Sequence, residues 1–161
     1  MTQPAWCLNL MDEKKVLDRL QRLCARAEYC SADVSRKALK SMEGDENAAA
    51  RIVAALVKDR YVDDARYARA FAREKSSLRG WGPVKIRYYL RMKGITGAIA
   101  DEAIAEANTE ENALARMEKL LSAKARTLKG DPNAKPKLLR YAIGRGYTYD
   151  QAAPVVEKLL K

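Results

Sequence analysis

The sequence predicts an all-α protein made of tandem repeats of a three-helix unit, about nine helices in all, and three observations lead to this prediction. Strong helix formers, namely Ala, Leu, Arg, Lys and Glu, dominate the 161 residues. The chain has only 8 Gly and 5 Pro, and it lacks the β-branched and aromatic runs that are typical of strands. Apolar residues recur at the three- and four-residue spacing of amphipathic helices. We therefore expect no β-sheet.

The first repeat is expected over residues 12–62, after a flexible segment of residues 1–11. Its first helix should run from about Asp12 to Glu28. Ser31 can cap a second helix that ends near Met42, and Gly44-Asp45 then breaks and restarts the chain before a third helix. The second helix runs through Ala38 and Leu39. The apolar stripes of the first and third helices contain Val16, Leu17, Leu20, Leu23, Cys24, Ile52, Val53, Leu56 and Val57.

The second repeat is expected over residues 63–107. Asp63 is a good N-cap for its first helix, and Gly80-Trp81-Gly82 interrupts that helix. Pro83 suits the first turn of a second helix that ends at Gly94, and Thr96 can cap the third. Tyr67, Ala70 and Phe71 share one face of the first helix. Ile86, Tyr89 and Leu90 should point inward from the second, and Ile99, Ala103 and Ile104 are the apolar residues of the third.

The third repeat is expected over residues 108–161. Thr109 with two glutamates opens a long helix, and Asp131-Pro132 starts a short one that ends at Gly146. Thr148 with Gln151 resembles a capping box before the last helix. The long helix contains the apolar residues Leu114, Met117 and Leu121, and the last helix contains Val155, Val156 and Leu159. The expected buried residues of the short helix are Leu138, Leu139, Ala142 and Ile143.

Three segments support the repeat interpretation because they are weakly alike: Arg36–Gly44, Arg87–Gly94 and Arg140–Gly146. They recur with a period of about fifty residues, which is within the range of helical repeat proteins. Small units bury little apolar surface alone, so neighbouring units should pack in a row and form an elongated array, straight or curved. The alternative is a single irregular nine-helix bundle.

The net charge of +10 is concentrated in one part of the chain. Residues 1–64 sum to zero, residues 94–130 to −1 and residues 131–161 to +3. Residues 65–93, the central basic segment, carry nine basic groups against one acid and sum to +8. Such a segment attracts phosphate or carboxylate groups, and nucleic-acid binding through it would depend on salt. The alternative is that these side chains only solvate exposed helix faces.

Aromatic residues lie among these charges and could stack on unpaired bases. Tyr88 should be exposed on the same side as Arg87 and Arg91, whereas Tyr89 should be buried beside Ile86. Trp81, between two glycines, fits either a core plug at the helix junction or an exposed contact.

The composition argues against an enzyme, a cofactor and a metal site. The chain contains no histidine, the commonest general base, and no G-x-x-x-x-G-K-[ST] run. Its cysteines, Cys7, Cys24 and Cys30, form no CxxC pair, so a zinc site is not expected. Asp63 and Asp64 are adjacent carboxylates before a helix, where capping is the ordinary role. We expect no catalytic residue.

The chain also shows no signal-peptide pattern and no apolar run that could span a bilayer. These features predict a cytoplasmic protein with reduced cysteines. Nothing in the sequence demands a dimer, so we expect a monomer.

Two segments of the central repeat carry a specific resemblance. The run Tyr61-Val-Asp-Asp-Ala-Arg-Tyr-Ala-Arg-Ala-Phe71 is similar to Y-[LV]-[DN]-D-x-x-[FY]-A-x-x-[FY]. Arg79-Gly-Trp-Gly-Pro83, with Lys85-Ile-Arg87, Leu90 and Lys93-Gly-Ile95, is similar to R-G-x-G-P-x-x-I-x-x-x-L-x-x-K-G-I. Both patterns resemble the RecX family of RecA recombinase regulators, and the flanking thirds look like that family's first and third repeats.

The resemblance implies tandem three-helix repeats and a protein that docks in the helical groove of the RecA filament on single-stranded DNA. Docking there would limit filament growth, ATP hydrolysis, strand exchange and the repressor self-cleavage of the SOS response. An array with a basic stripe fits such a groove, because it can contact acidic protein surface and DNA phosphate together.

The residues expected to contact this partner are Arg66, Arg69, Arg73, Lys75, Arg79, Lys85, Arg87, Tyr88, Arg91 and Lys93. The sequence leaves open whether they contact mainly DNA or mainly protein. The rival hypothesis is a sequence-specific helix-turn-helix protein whose helix from Pro83 to Lys93 enters the major groove of duplex DNA. A purely structural adaptor is the third hypothesis.

Overall fold

The computed structural model describes the backbone of residues 5–161 and the side chains of residues 12–161. Over this range it contains nine α-helices and no strand, which confirms the predicted fold class. The helices are α1 (Ala5–Arg26), α2 (Ser31–Ser41), α3 (Glu46–Lys58), α4 (Asp64–Ser77), α5 (Pro83–Met92), α6 (Gly97–Ala107), α7 (Glu110–Thr127), α8 (Ala134–Gly144) and α9 (Tyr149–Leu159). Within the described range, none of these helices has both the length and the apolar character that crossing a membrane requires. The chain divides into two compact units, Met1–Tyr67 and Ala68–Lys161.

The first unit is a group of three helices, α1, α2 and α3, that pack against one another. Leu20 of α1, Val34 of α2 and Leu56 of α3 meet in its core, and each is at most 2% exposed. Val16, Leu17, Leu23 and Cys24 of α1 pack around this core from its edge. The predicted stripe of α1 therefore points inward, as do Ile52 and Leu56 of the α3 stripe.

Helix α1 begins earlier than predicted. It starts at Ala5 and not at Asp12, so residues 5–11 are helical and are not a flexible segment, while residues 1–4 lie outside the described range. The reason is that no Gly or Pro occurs between Ala5 and Met11, so the local sequence gives the helix no stop signal.

The cap of α2 also differs from the prediction. Ser31 is the first helical residue of α2, and the preceding Cys30 makes no side-chain cap. Instead the Asp64 carboxylate accepts hydrogen bonds from the Ser31 backbone N–H at 2.7 Å and from the Ser31 hydroxyl at 2.6 Å. A residue distant in sequence thus satisfies a helix-end amide that would otherwise lack a partner.

Two other acidic residues cap the helices that they precede, as the sequence predicts. The Asp45 carboxylate accepts from the Ala48 backbone N–H at 3.0 Å and caps α3. The Asp63 carboxylate accepts from the Arg66 backbone N–H at 3.0 Å and caps α4. Both carboxylates of the Asp63-Asp64 pair therefore cap helices, Asp63 that of α4 and Asp64 that of α2.

In the second unit α5 packs on α6, and α7, α8 and α9 pack against one another. The predicted capping box of Thr148 and Gln151 opens α9, and both of its reciprocal hydrogen bonds are present. Predicted core residues that are buried in this unit are Ile86, Leu90, Ala103, Ile104, Met117, Leu121, Leu138, Ala142, Val155 and Val156.

Several apolar residues at helical spacing are exposed, and three of them, Val57, Tyr89 and Ile143, were predicted to be buried. Their exposed fractions range from 36 to 51%, and they are Leu39, Val57, Tyr89, Ile99, Leu114 and Ile143. Ala70 is exposed as well. In four cases the adjacent alanine is buried instead, namely Ala38, Ala100, Ala113 and Ala142.

Alanine on the contact lines between helices explains this difference. Consecutive residues lie about 100° apart around a helix, so a helix that turns its alanine toward a neighbour turns the adjacent larger residue outward. Eleven of the 28 buried apolar residues in the described range are alanine, which lets the helices approach closely. A prediction that gives most weight to large apolar residues therefore places the line of contact between two helices one residue away from its actual position.

A backbone contact joins the turn before α5 to the turn after α8 within the second unit. The Gly82 N–H donates to the Arg145 carbonyl oxygen at 2.7 Å, and the Val84 N–H donates to the Gly146 carbonyl oxygen at 3.0 Å. A Cβ on Gly82 would lie 2.4 Å from the Gly146 oxygen, and a Cβ on Gly146 would lie 2.7 Å from the Lys85 backbone nitrogen. We refer to this contact as the glycine junction.

The glycine junction predicts a large stability cost for Gly146→Ala. Gly146 has a φ of +98°, so alanine would strain the backbone and also collide with Lys85 and Gly82. We expect the free energy of unfolding, measured by urea denaturation, to fall by about 3 kcal/mol.

Gly130→Ala is the matched control, because Gly130 has a φ of +83° but has nothing within 4 Å of its would-be Cβ. It should lose only about 1–2 kcal/mol, the strain term alone. Equal losses in the two variants would show that close approach does not constrain Gly146.

The distant cap of α2 predicts that Asp64→Ala lowers the free energy of unfolding by about 1–2 kcal/mol, because two hydrogen bonds to a carboxylate are lost. The control is Asp59→Ala, which removes the same charge from an exposed residue at the carboxyl end of α3. It should change stability by less than about 0.5 kcal/mol. A loss in the control as large as that in Asp64→Ala would mean that the charge matters and the cap does not.

Candidate functional site

The ten residues predicted to contact a partner lie on α4, on α5 and in the turn between them. We refer to them together as the central basic surface. Arg66 belongs to the first unit and the other nine belong to the second. Their surroundings divide them into side chains that are used within the fold and side chains that are available to a partner.

Arg66 is used within the first unit. Its guanidinium pairs with the Glu28 carboxylate at 2.6 Å and donates to the carbonyl oxygens of Arg60 at 3.2 Å and Tyr61 at 3.4 Å. These bonds tie the turn before α4 to the segment that follows α1. Local acceptors therefore hold the Arg66 side chain, which is less available to a partner than an unpaired arginine would be.

Arginines that lie further along are available. Arg69, Arg79 and Arg91 are exposed, and within the described range they form no ion pair. Arg73 reaches Glu106 of α6 at 3.6 Å, with the two side chains 71% and 57% exposed. Such a pair contributes little stability and is easily exchanged for another anion.

Helix α6 supplies part of the counter-charge to α5. The Arg87 guanidinium pairs with the Asp101 carboxylate, and the two side chains are 53% and 58% exposed. Lys93 is half-buried at the end of α5. The positive charge that is available to a partner is therefore smaller than the +8 that the sequence gives for the central basic segment.

Trp81 is the centre of a cluster of rings and cations. The Lys85 ammonium lies 4.6 Å and the Lys75 ammonium 5.5 Å from the centre of its ring, and the ring centres of Tyr89 and Phe71 lie 4.9 Å and 6.3 Å away. Trp81 is half-buried, so it serves both as packing at the helix junction and as a support that holds two ammonium groups.

The neighbouring tyrosines on α5 are both accessible. Tyr88 is 58% exposed, as predicted, and could stack on a base. Tyr89 is 40% exposed and not buried beside Ile86, because its ring leans on Trp81 and on Tyr88 instead of entering the core.

Sequence reasoning missed a second set of cations in the second unit. Residues 124–145 carry seven basic groups against Asp131 alone. The charges were summed over segments that meet between residues 130 and 131, so this stretch was divided between two sums. A sum of charge over a sliding window would have identified the stretch.

The thiols and carboxylates do not form a reactive site in the described range. Cys30 is buried, and its thiol donates to the Asp33 carboxylate at 3.2 Å. Burial raises the pKa of the Cys24 thiol, and the negative charge of Glu28 raises it further, so the nucleophilic thiolate is disfavoured. No group of three potential metal ligands occurs among the described residues. The side chain of Cys7 lies outside them.

Sequence comparison places the central region in a known family. The family profile described as "RecX, second three-helix domain" matches residues 63–104, which include α4, α5 and most of α6.

Several curated relatives carry the description "Regulatory protein RecX". The protein from Halorhodospira halophila is 31% identical over 139 residues, which cover 84% of this chain and 83% of that protein. The Clostridium acetobutylicum protein is 33% identical over 129 residues, or 77% of this chain and 59% of its own length. The Clostridium botulinum protein (strain Alaska E43) is 30% identical over 155 residues, or 94% and 63%. This chain thus spans about three-fifths of the length of the clostridial relatives.

Two solved structures share the fold. The crystal structure of RecX from Lactobacillus salivarius superposes with a TM-score of 0.82 at 21% identity, covering 93% of this chain and 97% of that one. A second crystal structure, of a regulatory protein RecX, gives a TM-score of 0.83 at 23% identity, covering 97% and 75%. With the near full-length match to the Halorhodospira protein, these findings show that the chain belongs to the RecX family of regulatory proteins.

Proposed function

We propose that this chain is a non-enzymatic regulator that binds the RecA filament on single-stranded DNA and inhibits its extension, ATP hydrolysis and strand exchange. The observation that carries the proposal is the central basic surface, where Arg69, Arg79 and Arg91 are exposed without an ion pair in the described range. Exposed guanidinium groups without partners suit phosphate and carboxylate recognition, which a nucleoprotein filament offers together.

The proposed mode of action is docking in the helical groove of the filament. Surface pairs such as Arg73–Glu106 and Arg87–Asp101 can exchange their partners for filament anions at little cost, because both are solvent-exposed. Inhibition then follows from occupying the groove, and the bound protein supplies no chemistry. We propose that the protein acts as a monomer in the cytoplasm.

The three-repeat organisation remains part of the proposal, with repeats over residues 12–62, 63–107 and 108–161. Mutual packing of α1–α3, packing of α5 on α6, and mutual packing of α7–α9 support it. The family profile that begins at residue 63 supports the start of the second repeat.

The helix-turn-helix alternative is disfavoured by the glycine junction. A recognition helix contacts bases with its amino-terminal residues. At the amino end of α5, however, the N–H groups of Gly82 and Val84 are bonded to the turn after α8, and that turn covers this end of the helix. A footprint at a defined duplex sequence would reverse this preference.

The proposal predicts that the protein inhibits ATP hydrolysis by RecA on single-stranded DNA at well below one molecule per RecA subunit, because one molecule that blocks filament extension affects many subunits. The measurement is a titration of the steady-state ATPase rate. Inhibition that requires saturation of the bare DNA would instead indicate competition for DNA and would contradict a filament regulator.

The central basic surface predicts that Arg69→Glu with Arg73→Glu weakens filament binding by roughly tenfold or more, since two attractive contacts become repulsive. Filament co-sedimentation measures the affinity, and circular dichroism should show unchanged helicity.

Lys40→Glu with Lys58→Glu is the matched control, because it changes the net charge equally at exposed positions of the nearly neutral first unit. It should bind the filament almost normally. An equal loss of affinity in both double variants would assign binding to the net charge and would remove the central basic surface from the mechanism.

A further inference from the structure

A groove of about 490 Å³ opens in the second unit between α5, α7 and α8. Five of its lining residues are cationic, and none is acidic: Lys85, Lys124, Lys137, Arg140 and Arg145. Tyr141 forms part of its wall, next to these groups. We refer to it as the cationic groove, and apart from Lys85 it shares no residue with the central basic surface.

The wall of the groove holds two of the cations in place. The Lys124 ammonium lies 5.6 Å from the centre of the Tyr141 ring, and the Arg145 guanidinium lies 5.3 Å from it. Arg145 also donates to the Tyr141 hydroxyl at 3.2 Å and to the Arg79 carbonyl oxygen at 2.9 Å. The two cations are therefore preorganised, and an anion need not bear the full entropy cost of ordering them.

The remaining cations differ in how far they are neutralised. Lys85 donates to the Gly144 carbonyl oxygen at 3.3 Å, an uncharged partner. Lys137 pairs with Asp131 at 2.5 Å, and this hydrogen bond lowers the pKa of that carboxyl group. Arg140 is exposed and, in the described part of the chain, forms no ion pair.

Contacts within the fold account for the placement of Lys85, Lys124 and Arg145, but they do not neutralise the excess of charge. Cations gathered around one surface depression repel one another, and Asp131, which does not line it, pairs with Lys137 alone. A bound polyanion would relieve the repulsion. The lining indicates which polyanion, because cations beside an aromatic ring, here Tyr141, are the combination that single-strand binding sites use.

We propose that the cationic groove binds the sugar-phosphate backbone of single-stranded nucleic acid at a site separate from the central basic surface. Lys124, Arg140 and Arg145 contact phosphate oxygens, and Tyr141 positions two of them. The volume lies within the range of small-ligand sites, so the groove holds a short stretch of strand at a time. The proposal rests on the proposed function only in that the strand would belong to the same filament.

The test is binding of the full-length chain to a fluorescein-labelled oligothymidylate, followed by fluorescence anisotropy over a series of salt concentrations. Lys124→Ala with Arg140→Ala should weaken binding about tenfold. It should also flatten the plot of log affinity against log salt by about 1.4, which is two single-strand phosphate contacts at 0.7 each.

Arg126→Ala with Lys129→Ala is the matched control. It removes the same charge from the same stretch of sequence, at exposed residues that do not line the cationic groove. It should leave affinity within about twofold of the unmodified chain and leave the salt slope unchanged. Arg140→Gln alone, at an exposed residue without an ion pair, provides a variant whose folding is not in question and should flatten the slope by about 0.7.

The possible outcomes separate this inference from the proposed function. Lost strand binding with retained inhibition of RecA supports the cationic groove independently of the filament. Equal effects of the two double variants, or unchanged strand affinity in the groove variant, overturn the groove whatever the recombinase assay shows. Displacement of the strand by poly-glutamate at equal charge concentration, or a duplex bound as tightly as the strand, overturns the choice of ligand.

Discussion

Backbone hydrogen bonds at Gly82 and Gly146 fix the positions of two cations in the second unit, Lys85 and Arg145. Because neither residue has a side chain, the two turns come close enough for the Gly82 and Val84 N–H groups to donate to the turn after α8. Lys85 follows at once and reaches the Gly144 carbonyl and the face of Trp81. In the opposite direction Arg145 reaches the Arg79 carbonyl, and the Tyr147 hydroxyl donates to the Gly80 carbonyl at 3.2 Å. The cationic groove exists because these two turns are held together.

Small side chains also shape the rest of the core. Alanine occupies the lines where helices touch, so the larger apolar residues next to it in sequence are displaced toward solvent, as Ile99, Leu114 and Ile143 are. Acids of α6 pair with arginines of α4 and α5, so part of the central positive charge is neutralised within the fold.

The sequence predicted most of the features that depend on nearby residues. The helices, the Asp63 cap and the Thr148 capping box follow from spacing within one turn, and all are present. The predicted Thr96 cap is an exception, because the Thr96 side chain makes no cap bond. The features that it missed depend on tertiary contact. Asp64 caps a helix that begins 33 residues earlier, and Arg66 pairs with Glu28, 38 residues away. Local periodicity carries no information about either partner.

The candidate site shows the same limit. The position of Tyr88 on its helix was enough to predict that it is exposed. The contact between the Tyr89 and Trp81 rings could not be predicted in this way, because it depends on the geometry of the turn that brings the two rings together. The cationic groove draws on α5, α7 and α8, and no single stretch of sequence contains all of its residues. The seven-to-one ratio of basic to acidic groups over residues 124–145 can be counted in the sequence. The sequence does not show which of these residues line the groove together with Lys85.

Lysine and arginine alone make up the positive charge of both surfaces, because the chain contains no histidine. Histidine is the side chain whose ordinary pKa lets it change charge between about pH 5 and 8. The Cys24 thiol, with its pKa raised by burial and by Glu28, is held in its neutral form over that interval. Neither surface therefore contains the side chain whose charge changes in that interval. If the two surfaces bind a polyanion as we propose, ionic strength and competing polyanions would set the affinity, so osmotic stress would alter it.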